Sequence, residues 1–187
     1  MSLEQWNTVF SAATFIVIAT ASIAALVQLR HMRAGNQLNM LLTIMDMWSK
    51  PDMQEHIKYM RTTLQEKIKD PTFLRDQRTS YSPRTEHPEL LVADFWEQIG
   101  VMAKYGMVDE DALMDIVSAQ IMRAWQDLEP VVMAGRERAG PSAFENFEYL
   151  AVRAHQWTAR HPSGAYPPNL PRMAQIKASR ERETSSG

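Results

Sequence analysis

The first thirty residues of the chain differ in pattern from everything after them. From Gln5 to Leu29 no side chain is charged, and Val9 to Leu29, VFSAATFIVIATASIAALVQL, is apolar or small almost throughout. A helix over that run, at about 1.5 Å per residue, reaches roughly 37 Å and exceeds the ~30 Å hydrocarbon core of a bilayer. The run holds neither Pro nor Gly, so every backbone N–H and C=O can be bonded within the segment, as lipid demands. A transmembrane helix is therefore expected, since a buried core helix seldom runs so far without a charge. Ala19-Thr20-Ala21 has the small-x-small form of a signal-peptidase site, but the n-region carries Glu4 and no Lys or Arg, and apolar residues continue past Ala21 to Leu29. Arg30, His31 and Arg33 crowd the C-terminal flank, which places residues 30–187 in the cytoplasm and the N-terminus outside, in the inner membrane. Trp6 fits an interfacial anchor.

Small and weakly polar residues share one face of this segment: Ser11, Thr14, Ala21 with Ser22, Ala25 and Gln28 recur with Ile18 at three- and four-residue steps. Such faces let membrane helices approach closely. The same residues are also ordinary anchor composition, so association through this face and its absence both stand open.

Beyond the anchor (1–33) the three-to-four spacing continues, and it predicts an all-α domain over 34–160. Leu38, Leu41, Met45 and Trp48 form one stripe, separated from the anchor by Gly35-Asn36, which interrupts a strict register. Pro51 opens a helix with Met53, Ile57, Met60, Leu64 and Ile68 on one side, and Asp70-Pro71 stops it. Residues 70–87 carry two Pro, Pro71 among them, several Ser and Thr and no sustained period, so a loop is expected there, packing through Phe73, Leu74 and Tyr81. Pro88 opens the next helix, with Leu91, Phe95, Ile99 and Met102 inward and Gly106 closing it. Asp109 caps a helix that buries Leu113, Ile116, Val117, Ile121, Trp125 and Leu128, with Pro130 kinking or restarting it. A last helix aligns Phe144, Phe147, Ala151, Ala154 and Trp157. The predicted core brings together Leu91, Phe95, Ile116, Ile121, Trp125, Phe147 and Ala151. Residues 161–187 are Pro-rich, then polar, and are expected to be a disordered tail.

Composition narrows the function classes. A net charge of -2 removes the basic surplus that a nucleic-acid binder needs, so no nucleic-acid partner is expected. The absence of Cys excludes disulfides, iron–sulfur clusters and thiolate zinc sites.

The order of parts carries a resemblance. An apolar N-terminal helix precedes an aromatic-acidic helix (Phe95, Trp96, Glu97) and a Gly-to-Asp turn (Gly106 to Asp109). A Trp-containing helix ending in Glu129-Pro130 follows, then Arg136 and a Phe/Tyr-rich helix. Over residues 8–157 this resembles a family of bacterial membrane-associated proteins catalogued as domain of unknown function number 4760. The resemblance implies an all-helical cytoplasmic domain on a membrane anchor, and it supplies no activity and no catalytic residues.

Chemistry must then come from the residues themselves. Phosphate-loop, G-x-G-x-x-G, G-x-S-x-G and H-E-x-x-H motifs are missing, and no cofactor or metal is expected. Asp52 and His56, four apart, offer two ligands and no third. Asp94 with Glu97, and Glu145 with Glu148, are carboxylate pairs at i, i+3, but a di-iron site wants Glu-x-x-His and position 151 is Ala. The remaining polar candidates are Glu97, Arg123, Arg136 and Glu148. They read either as ion pairs that fix helix register or as a polar pocket. Thirteen Met residues fall mostly on packing stripes. The expected function is a membrane-anchored interaction or regulatory module, with a protein partner or a second copy as its ligand. The alternative is a membrane-tethered small-ligand sensor or a carboxylate-dependent enzyme.

Overall fold

Ser2 starts the first helix with a capping box: its hydroxyl accepts from the Gln5 amide at 3.3 Å, and the Gln5 side chain accepts from the Ser2 amide at 2.8 Å. From there α1 runs without interruption over Leu3–Ser49. The structure, a computed structural model, describes residues 2–79 and 83–185, and among these the chain is helical with no strand. After α1 come α2 (Pro51–Arg61), α3 (Thr63–Lys67), α4 (Pro71–Thr79), α5 (Glu89–Lys104), α6 (Glu110–Ala139), α7 (Glu145–Arg160) and α8 (Met173–Ser185).

The two halves of α1 meet different surroundings. In the apolar half the large side chains stand exposed: Phe10, Phe15, Ile16, Val17, Ile18, Ile23, Leu26 and Leu29 are all 60% or more accessible. The hydroxyls of Thr20 and Ser22 donate back to the carbonyls of Ile16 and Ile18 at 2.8 Å, so they need no outside acceptor. The helix is long and apolar enough to cross a membrane. In the second half Leu41 and Ile44 are buried, and Trp48 lies against Phe95 and Trp96 at ring separations of 5.4 and 4.8 Å. Gly35-Asn36 does not break the helix. A single glycine weakens a helix interior by about 1 kcal/mol relative to alanine, and no proline intervenes before Pro51.

The core forms where α5 packs on α7, α7 on α6, α6 on α4, and α2 on α5. Val92, Phe95, Trp96 and Ile99 of α5 meet Ile121 and Leu128 of α6 and Phe147 and Leu150 of α7 in one buried cluster. The turn after α5 is a Schellman motif: Gly106 has φ +65°, its amide donates to Ala103 at 3.0 Å, and Met107 donates to Met102 at 2.9 Å. Asp109 accepts from the Ala112 amide at 2.9 Å and starts α6, which then runs through Pro130.

Four expectations are corrected. Residues 71–79 form α4 rather than a loop, because Pro71 suits a first turn and the Asp70 carboxylate accepts from the Thr72 amide at 2.8 Å. Phe73 and Leu74 do pack against the core, and Tyr81 lies outside the described residues. Ile116 is 42% exposed. At 3.6 residues per turn it sits roughly 100° around α6 from the centre of the buried stripe, on one edge, and Trp125, roughly 80° away on the other edge, is half-buried. Leu91 is half-buried too. The tail, expected to be disordered, carries α8. Its Ala, Gln, Lys, Arg and Glu residues are good helix formers, and nearly all its described side chains stay exposed.

Candidate functional site

Three of the four polar candidates, Glu97, Arg136 and Glu148, meet at the start of α7. Backbones come so close there that a Cβ on Gly100 would lie 2.1 Å from the carbonyl oxygen of Asn146. One turn earlier on α5, Glu97 reaches across the same contact. Its Oε2 accepts from the Phe147 amide at 2.8 Å, and its Oε1 accepts from the Asn146 side chain at 2.7 Å. Phe144, at the N-cap of α7, has no side-chain acceptor and sits in the left-handed region at φ 55°. Glu97 therefore supplies from another helix the acceptor and the negative charge that a helix start favours.

Arg136 of α6 holds the other side of this junction. Its Nε donates to Ala143 O at 2.9 Å, its Nη2 donates to Phe144 O at 3.4 Å, and Nη2 pairs with Glu148 at 2.7 Å. Glu97, Arg136 and Glu148 thus share residues 143–148. Arg123 does not join them. It lies 13 residues before Arg136, about 20 Å along the helix, and pairs with the buried Asp127 at 3.1 Å.

The other carboxylates are engaged as well. Asp94 takes a two-point bond from Arg84, both contacts at 2.8 Å, and Glu145 lies 3.8 Å from Lys104. Arg153 of α7 donates to Glu110 in the first turn of α6, and that bond raises the guanidinium pKa further. Burial, aided by the Glu110 charge, pushes the Tyr149 hydroxyl up as well. Asp52 and His56 line a groove with Met53 and Asp94, and among the described residues no group of three or more potential ligands is placed to hold a metal.

Three polar residues that the sequence pattern did not single out meet under α4. Glu89 is fully buried, with Oε1 2.9 Å from His87 Nδ1 and 3.3 Å from the Gln77 amide nitrogen, while Gln77 also reaches His87 Nδ1 at 2.7 Å. Glu89 Oε2 has no hydrogen-bond partner. A cavity of about 220 Å³ nearby is lined by Gln77, Arg84, Glu97, Arg138 and Phe144 among others. The small and weakly polar residues of the apolar half of α1, Ser11, Thr14, Ala21, Ala25 and Gln28, are all exposed.

Fold and site together define an all-helical domain, its polar residues engaged in caps and ion pairs between helices, joined to a long apolar N-terminal helix. The chain belongs to the family described as Domain of unknown function (DUF4760), whose profile matches residues 15–154. The matched span starts within the apolar half of α1, covers α2 to α6 whole, and ends in α7, leaving α8 outside. No curated protein and no solved structure matches the chain.

Proposed function

We propose that this is a single-pass protein of the inner membrane, N-terminus outside, whose cytoplasmic helical domain is an interaction or regulatory module rather than an enzyme. The observation that carries the reading is the bare apolar half of α1: no residue of its most apolar window is buried by the rest of the chain. Leaving so continuous an apolar surface in water is costly, and a bilayer covers it. Arg30 and Arg33 orient it by the positive-inside rule. The interaction reading draws support from the polar candidates, because Glu97, Glu148 and Arg136 are engaged in joining α5, α6 and α7 and leave no free carboxylate pair for acid–base work. A second copy is the partner this reading favours, through the face bearing Ser11, Thr14, Ala21, Ala25 and Gln28.

A reporter fused after Gly187 should read as cytoplasmic, and the intact chain should stay in the membrane fraction through an alkaline wash. Release of a soluble form beginning near Ser22 would overturn the anchor.

A further inference from the structure

The α5–α6 turn returns to α1 at an informative height. Gln37 Nε2 donates to the Gly106 carbonyl at 3.1 Å, and a Cβ on Gly106 would lie 3.5 Å from Arg33 Nη2. Because α1 is unbroken from Leu3 to Ser49, these contacts can be measured from the last residue of the charge-free run, Leu29. Arg33 and Gln37 lie about 6 and 12 Å beyond it along the helix axis. The headgroup layer on each side of a bilayer is roughly 5–8 Å thick. With the apolar half of α1 in the membrane, Arg33 is level with the headgroups and the turn it meets lies at their outer edge.

The residues at that height fit a lipid surface. Tyr105 and Met107 on the turn are 69% and 51% exposed, and Leu29 and Met32 on α1 are 60% and 56% exposed. A cavity of about 690 Å³ between helix and turn is lined by Leu29 and Met32 at the end nearest the apolar run, by Met40 and Met107, and by the polar Arg33, Asn36 and Gln37. Arg30 and Arg33 form no ion pair with any described residue. The unpaired Arg33 guanidinium beside an apolar slot matches a phosphate with acyl chains attached, and Arg30, outside the lining, adds positive charge one turn nearer the apolar run.

We propose that the cleft between Arg33 and the Tyr105–Met107 turn seats an anionic phospholipid, and that the turn inserts Tyr105 and Met107 into the interface. The domain is thereby held against the bilayer at two points, α1 and the α5–α6 turn. This rests on the membrane-spanning reading of α1, and the test separates the two.

The chain has no cysteine, so single cysteines can be spin-labelled without background. Full-length Phe15→Cys, Met107→Cys and Lys50→Cys are labelled in nanodiscs of phosphatidylcholine with phosphatidylglycerol, and accessibility to lipid-soluble oxygen and to a water-soluble relaxation agent is compared. Position 15 should report the bilayer interior, position 107 the interface, and position 50, about 30 Å beyond Leu29, water. Phosphatidylglycerol binding, titrated against phosphatidylcholine, should weaken about fivefold for Arg33→Gln, which lines the cleft, and less for Arg30→Gln, which does not. If position 107 behaves like position 50 while position 15 stays in the bilayer, the seat is overturned and the span survives. An aqueous position 15 overturns both. Unchanged phosphatidylglycerol preference in the arginine variants overturns the anionic headgroup.

Discussion

Glu97 does for α7 what its own N-cap residue, Phe144, has no side-chain oxygen to do. The carboxylate bonds both the Phe147 amide and the Asn146 side chain, and truncation leaves a half-buried helix start without its acceptor. Glu97→Ala should cost about 1–3 kcal/mol, read as a lower denaturation midpoint, with Glu97→Gln costing less because one acceptor oxygen remains. Asp70 performs the local version of the same task at α4. The Thr72 amide, and secondarily its hydroxyl, hold the Asp70 carboxyl below its usual range. A depressed folded value means that the cap's contribution is fully present above the usual carboxylate pKa of about 3.9 and is lost as pH falls through the lower folded one. The Thr72 amide resonance should follow that titration, with a midpoint below the usual value, and Asp70→Asn should abolish the transition.

At the level of elements, two glycines that look alike in sequence, each inside a helix, behave differently. Gly100 of α5 faces the Asn146 carbonyl, where an added Cβ would lie 2.1 Å away, so Gly100→Ala must push α5 and α7 apart. A loss of about 1–3 kcal/mol is expected from that overpacking. Gly135 of α6 has nothing within 4 Å of the same built position. Gly135→Ala should be neutral or stabilise by up to about 1 kcal/mol through helix propensity. Thermal denaturation of the two variants side by side separates these cases, and equal shifts would show that the α5–α7 contact is looser than described.

For the whole molecule the deciding feature is that α1 is one helix. It carries the exposed apolar run at one end and Leu41, Ile44 and Trp48, which belong to the domain's packing, at the other. Any association of the apolar halves therefore brings two domains to a defined distance instead of leaving them on flexible tethers. Ala21→Leu with Ala25→Leu should reduce cross-linked dimer in native membranes without changing the membrane-bound fraction, because bulk on that face blocks close approach while leucine favours insertion. Dimer yield unaffected by both substitutions would return the small-residue face to ordinary anchor composition.

Properties written in consecutive residues were legible without a fold. The charge-free length of the first apolar run, the helical spacing of Ile57, Met60 and Leu64, the closing role of Gly106 and the cap at Asp109 depend on residues near one another in the chain. The family resemblance rested on the same local order. Helix α4 is hidden in the sequence because Asp70 before Pro71 is a helix stop that also serves as a start, and α8 because its low hydrophobicity also fits a disordered segment. Other features depend on segments far apart in the chain, and only packing brings those together. Ile116 belongs to the apolar residues of α6, yet the rotation that α4 and α7 impose on that helix turns it outward. Nothing near Glu89 in the sequence marks it as fully buried, nor Gly100 as the point where two backbones touch. Glu97 was picked out as a carboxylate, but its partners lie about fifty residues away, so the tertiary structure alone decided that it caps a helix.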